Sequence, residues 1–121
     1  VIIIRNTRLV KFFTCNSPWV IAIALFPFIF IRTELPANAN EQNIIRHEAI
    51  HIRQQMELAV VIFYLWYIID YLRNRLRGMT HFDAYRNIMF EKEAHANMYR
   101  TDYLSGRKAF AFWNYCSSKE H

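Results

Sequence analysis

The segment Arg46-His47-Glu48-Ala49-Ile50-His51 carries two histidines four residues apart with a glutamate between them, the pattern H-E-x-x-H. On a helix, residues four apart share a face. His47 and His51 can therefore turn ring nitrogens toward one ion. Glu48 is rotated about 100° from His47, beside that ion rather than on it. Two imidazoles with an adjacent carboxylate suit Zn²⁺ and the chemistry of a metal-assisted hydrolase. The cation lowers the pKa of water towards 7. Glu48 then acts as general base and passes the proton on to a leaving amine. The competing structural reading is two polar histidines on the surface of an amphipathic helix.

A catalytic zinc site needs a third protein ligand. Downstream candidates are His81, Asp83, Glu91, Glu93, His95 and Asp102. Among them, Phe90-Glu91-Lys92-Glu93-Ala94-His95-Ala96-Asn97 reads as a helix with small residues that let a second backbone approach. For a donor near a developing oxyanion, Tyr85, Tyr99, Tyr103 and Arg107 are available. Packing is the competing role for each tyrosine. Gln54 and Gln55 follow the histidine helix by one turn and can brace a cleft; solvent exposure is an equal reading for Gln55.

These residues need elements to hold them. Ile2 to Phe13 looks extended, and Asn16-Ser17-Pro18 is a turn signal. Val20–Arg32 reads as a buried strand with Pro27 at an edge or bulge. Thr33 to Asn40 is a loop, and Asn40 is a helix N-cap with Glu41 in the first turn. No Gly or Pro follows until Gly78, which predicts a long helical stretch bent near Val60–Phe63. A further helix spans about Phe82–Tyr103 with a break near Asn87, then Ser105-Gly106 interrupts and a short apolar tail runs Ala109–Tyr115. Extended segments come first and helices after, so the fold class is α+β with a helical majority, in one domain over residues 1–121.

Composition narrows the partners. The chain has 121 residues, a net charge of +5, and 54% hydrophobic residues with few Gly or Pro, which excludes a disordered or collagen-like protein. Arginines are scattered apart from one knot at Arg73–Arg77, and no nucleic-acid-binding module has its spacing here, so no nucleic-acid partner is expected. Cys15 and Cys116 read as two lone thiols. Trp19–Ile31 is too short for a span of about 20 residues and contains Pro27. Leu58–Ile69 is apolar all round, as a central core helix would be; a helix lying on a membrane surface is the alternative, with Tyr64, Trp66, Tyr67 and Tyr71 as interface-type residues. Val1–Ile4 is apolar without a charged leader or cleavage site, so a cytoplasmic location is expected, with peripheral membrane contact as the variant.

His47-Glu48-x-x-His51 followed by Glu91-x-Glu93-Ala94 resembles the gluzincin metallopeptidases, in which a second helix supplies a glutamate. The likeness is to minimal single-domain gluzincins, to the catalytic domains of HtpX-type membrane proteases, and to small bacterial proteins with an H-E-x-I-H-x-R-Q-Q helix and an F-E-x-E-A helix. It covers about Ala22 to Tyr115. What it implies is a zincin-like minimal domain: a short N-terminal sheet with an edge strand (here Leu25–Ile31) above the cleft, an active-site helix and a glutamate helix. It implies Zn²⁺ held by His47, His51 and Glu91, Glu48 as catalytic base, and a peptide or protein substrate pairing with the edge strand. Glu91 takes the ligand position and Ala94 the small-residue position; a shifted register, Glu93-Ala94-His95-Ala96-Asn97, would make Glu93 the ligand. His95 stands where these proteins often have an Asp that braces a zinc-bound histidine, and it cannot supply that fixed negative charge. The functional expectation is a zinc metallopeptidase. Its rivals are a catalytically silent module on the same fold and a small membrane-associated helical protein.

Overall fold

The computed structural model describes residues 2–14 and 20–116. In chain order its elements are β1 (Ile2–Arg5), α1 (Thr7–Phe13), β2 (Ala22–Leu25), β3 (Phe28–Ile31), α2 (Glu41–Leu58), α3 (Val60–Leu76), α4 (His81–Arg86), α5 (Met89–Asn97), α6 (Tyr103–Gly106) and a 3₁₀ turn over Ala111–Tyr115. The architecture is α+β, with a three-stranded sheet and a helical majority.

Two N-terminal expectations are corrected. The extended stretch Ile2 to Phe13 is strand for four residues only. Asn6 then accepts the Leu9 N–H in its side chain, and the cap starts α1. The long strand Val20–Arg32 is a hairpin that reverses at the cis Phe26–Pro27 bond, where proline has no N–H to give a ladder. β2 pairs antiparallel with β3 (Ala24 opposite Ile29), and β1 pairs parallel on the other side of β3 (Ile3 opposite Ile29). The expected edge strand Leu25–Ile31 is therefore not the edge: β3 is central, and β2 is the outer strand that runs against α2. Cys15 and the Asn16-Ser17-Pro18 turn lie outside the described residues.

The helical half follows the predicted punctuation as far as the break near Asn87; beyond it two expectations are corrected, since α5 ends at Asn97 rather than Tyr103, and Ser105-Gly106, expected as an interruption, forms the end of α6. Asn40 caps α2 by accepting the N–H groups of Gln42 and Asn43 at 3.0 and 3.3 Å. The bend falls at Ala59, one residue before the expected zone. Its φ of 63° and ψ of 152° lie where a Cβ is disfavoured, so the chain turns through 111° between α2 and α3. Gly78, with φ of 92°, follows the end of α3. α5 begins at a backbone without its own cap; instead the buried Asp70 carboxylate of α3 accepts the Met89 N–H at 2.9 Å. That bond ties α3 to the start of the helix carrying Glu91.

The larger core cluster is Phe63, Ile88, Met89, Phe90 and Phe112. A second cluster joins Ala24 and Ile29 of the sheet to Ile52 of α2. The expectation of a central, fully buried α3 is corrected. Only its inner side is buried, at Phe63, Asp70 and Asn74. Tyr64, Trp66, Tyr67 and Tyr71 are partly buried and pack inward against the core. The outer side carries aliphatic residues in the open. Among the described residues no single helix is long and apolar enough to cross a membrane; the bent pair α2–α3 passes that test of composition only together.

Candidate metal centre

Spacing by four places His47 and His51 on the side of α2 that faces α5, and both are buried, with their Nε2 atoms 3.2 Å apart. α5 brings Glu91 into the same space. Its Oε1 lies 3.0 Å from His47 Nε2 and 3.2 Å from His51 Nε2. Glu48 stands to one side, with Oε2 4.0 Å from His47 Nε2. Ala94, one turn beyond the glutamate, is fully buried.

Glu93 goes elsewhere. It is fully buried, and its carboxylate accepts from Arg107 Nε at 2.5 Å, Tyr103 Oη at 2.6 Å and Gln54 Nε2 at 2.9 Å. The helix thus turns Glu91 to the histidines and Glu93 to the arginine, as a rotation of about 200° over two residues requires. The same contacts correct two donor candidates: Tyr103 and Arg107 are committed to Glu93 and do not reach the histidine cluster. Tyr99 is exposed. Tyr85 is near the cluster, its hydroxyl 3.4 Å from His95 Nε2.

The supporting contacts fix orientation. His51 Nδ1 lies 2.8 Å from Gln54 Oε1; an amide oxygen accepts, so Nδ1 is the donor there and Nε2 is the nitrogen turned to His47 and Glu91. Gln55, read as equally suited to solvent, is buried: its Nε2 donates to the Ala24 carbonyl at 2.8 Å and its Oε1 accepts the Phe26 N–H at 2.7 Å. The residue missed outright is Tyr67 of α3, whose hydroxyl donates to Glu91 Oε2 at 2.6 Å. Its helical spacing from Phe63 was the available signal, but nothing local ties α3 to α5. Removing that hydroxyl frees the carboxylate to swing. Tyr67→Phe is expected to weaken metal affinity about tenfold with little loss of helical content, a change that competition against a chelating dye would measure.

Electrostatics follow from burial and proximity. Burial raises the Glu48 carboxyl above its ordinary range, and the neighbouring imidazoles only partly offset it. Burial also opposes ionisation of Glu91, but attraction to His51 and hydrogen bonds from both histidines outweigh it and hold the carboxyl well below the usual carboxylate range. His51 is the counterpart: burial disfavours its cation, yet the Glu91 carboxylate lifts it to about 9. Half-buried His95 is pushed down to about 3, by burial first and then by His47, so it is a neutral imidazole with a lone pair to give.

His95 does not brace a histidine from behind. Its Nε2 is 3.6 Å from Glu91 Oε1 and its ring packs edge-on against His47 at 4.4 Å between centroids. Two overlapping trios result. His47, His51 and Glu91 form a triangle with sides of 3.0 to 3.2 Å. His47, Glu91 and His95 lie within 4.8 Å of one another and form a group that could hold a metal ion. Tetrahedral zinc with bonds of about 2.0–2.1 Å spaces its ligands about 3.3–3.4 Å apart, close to the first triangle. The donor set, imidazole and carboxylate, is one that zinc accepts.

The outer strand sits over this cluster. The Ala24 carbonyl accepts from Gln55 and from the Tyr64 hydroxyl. At Ala24 the carbonyl that an incoming peptide would use is already paired within the chain.

Comparison of the chain with protein-family models, with curated proteins and with solved structures finds no match.

Proposed function

We propose that this chain is a minimal zinc-dependent metallopeptidase of the gluzincin kind. The observation that carries the reading is the convergence of His47, His51 and Glu91, with Glu48 beside them and buried. His47, His51 and Glu91 hold the ion. When bound, zinc supplies Lewis acidity and brings the pKa of water towards 7. Glu48 accepts the proton of the attacking water on its carboxylate and delivers it to the amine as the peptide bond breaks. Gln54 fixes the His51 tautomer, and Tyr67 holds Glu91.

A second reading has its own support. The carbonyl of Ala24 is satisfied internally, and His95 offers a further imidazole close to the ion position. A centre with four protein donors and a strand carbonyl already paired describes a metal-stabilised module without turnover, since catalytic zinc keeps a position open.

Zinc content of the gently purified protein, measured by plasma mass spectrometry, tests the shared premise. About one zinc per chain is expected, and under about 0.2 would leave neither reading standing. Glu91→Gln should lower zinc affinity at least tenfold, whereas Glu93→Gln should keep the metal and lose stability. The reverse pattern would reassign the third ligand. Hydrolysis of a mixed peptide library by the zinc-loaded protein then separates the peptidase from the silent module.

A further inference from the structure

The outer face of α3 has no use in the metal centre. Val61 (78% exposed), Ile62, Leu65, Ile68, Ile69, Leu72 and Leu76 (88%) are all at least about half exposed. Every exposed residue of this helix from Val61 to Leu72 is aliphatic. At about 100° per residue these seven side chains fall in a single arc of about 120°. Arg75 borders one edge of that arc and Arg73 the other, with Arg77 one step beyond Arg73, and all three are exposed. Asp70, the helix's acid, points the opposite way, buried and bonded to the start of α5; Arg73 lies 3.9 Å from it and is still half exposed.

We infer that α3 docks in the plane of an anionic lipid surface. The aliphatic arc enters the acyl boundary, while Arg73, Arg75 and Arg77 extend along its margins to phosphate headgroups. An apolar stripe edged by long cationic side chains is the pattern of an interfacial helix, because the stems follow the apolar surface and the guanidinium groups stay at the charged layer. The charge also selects the occupant. A second copy of this chain laid on the same face would bring arginines without an exposed acid of α3 to meet them, whereas an anionic leaflet offers a phosphate to each. The helix is too short to cross the bilayer alone, and its C-terminal end is charged. This docking is independent of the metal centre, which lies on the inner side of the same helix through Tyr67.

Co-sedimentation of the full chain with vesicles of phosphatidylcholine alone or mixed with phosphatidylglycerol tests the inference. Binding to the mixed vesicles should exceed binding to neutral ones by about 100-fold at low salt, from three arginines, and fall as salt rises. Leu65→Glu together with Ile68→Glu, both on exposed positions, should reduce binding at least tenfold with the circular dichroism spectrum unchanged. Arg73, Arg75 and Arg77 changed together to Gln should remove the preference for the anionic lipid. No vesicle binding, or equal binding to both lipids that the arginine changes leave alone, overturns it. So does a dimer by sedimentation velocity that Leu65→Glu dissociates while vesicles fail to capture the chain.

Discussion

Glu48→Gln is expected to remove peptide hydrolysis by the zinc-loaded protein, by a factor of about 10²–10⁴, while leaving zinc content and thermal midpoint within error. The reason lies in shape and charge together. Glutamine has the size of glutamate, so the buried position keeps its packing. What it cannot do is take a proton from water. Burial already lifts the Glu48 carboxyl above its ordinary range. Its Oε2 is 4.0 Å from His47 Nε2, beside the cluster and outside the triangle of shortest contacts, so losing its charge should not cost a ligand. The measurements are initial rates on a fluorogenic peptide and zinc by mass spectrometry on the same preparations. Turnover that survives the substitution would overturn the base assignment. Turnover absent from the parent protein at full zinc occupancy would favour the silent module, for which the paired Ala24 carbonyl is the physical reason.

How far these features could be read from sequence depends on the range of the contact. The His47–His51 pair was legible because its geometry is set by one helical turn, and the helix itself by the Asn40 cap. The bend at Ala59 was legible within a residue, since β-branched and aromatic side chains crowd there. Glu91 against Glu93 was not decided by spacing. Two residues apart on a helix they face different directions, and only the partner of each direction decides; one side proved to hold histidines and the other an arginine. The hairpin at Phe26–Pro27 hid inside a continuous apolar run, because alternation of apolar and polar residues was absent. Tyr67 was hidden for a different cause, as were the partners of Gln54 and Gln55, which spacing places only as braces of a cleft. Apart from local bonds such as that of Gln54 to His51, they act across 24 to 39 residues, on groups that the fold alone brings near. The outer face of α3 was misread as core because a composition that is apolar all round does not say which side is covered.

Arg107→Met is expected to destabilise the protein by about 3–5 kcal/mol in urea unfolding, the largest stability effect of any single substitution considered. Arg107 and Glu93 have fully buried side chains joined at 2.5 Å, and the same guanidinium donates twice to Glu57, at 2.8 and 3.1 Å. One cation therefore serves two carboxylates from two helices, α2 and α5. Methionine fills much of the volume but leaves the Glu93 charge with only Tyr103 and Gln54 as donors. An uncompensated buried carboxylate is what makes breaking such a pair costly, even where the intact pair contributes little. The partner substitution is the control. Arg107→Met combined with Glu93→Leu should recover much of the loss, since an apolar pair of similar size removes the stranded charge. A single-mutant loss under about 1 kcal/mol, or no recovery in the double mutant, would show that the network is not structural. The effect should also reach the metal. Gln54 bonds Glu93 with its amide nitrogen and His51 with its amide oxygen, so a shifted Glu93 releases the imidazole through one side chain. Zinc affinity in Arg107→Met should fall together with stability, whereas the double mutant recovers the fold but not the hydrogen bond that orients His51.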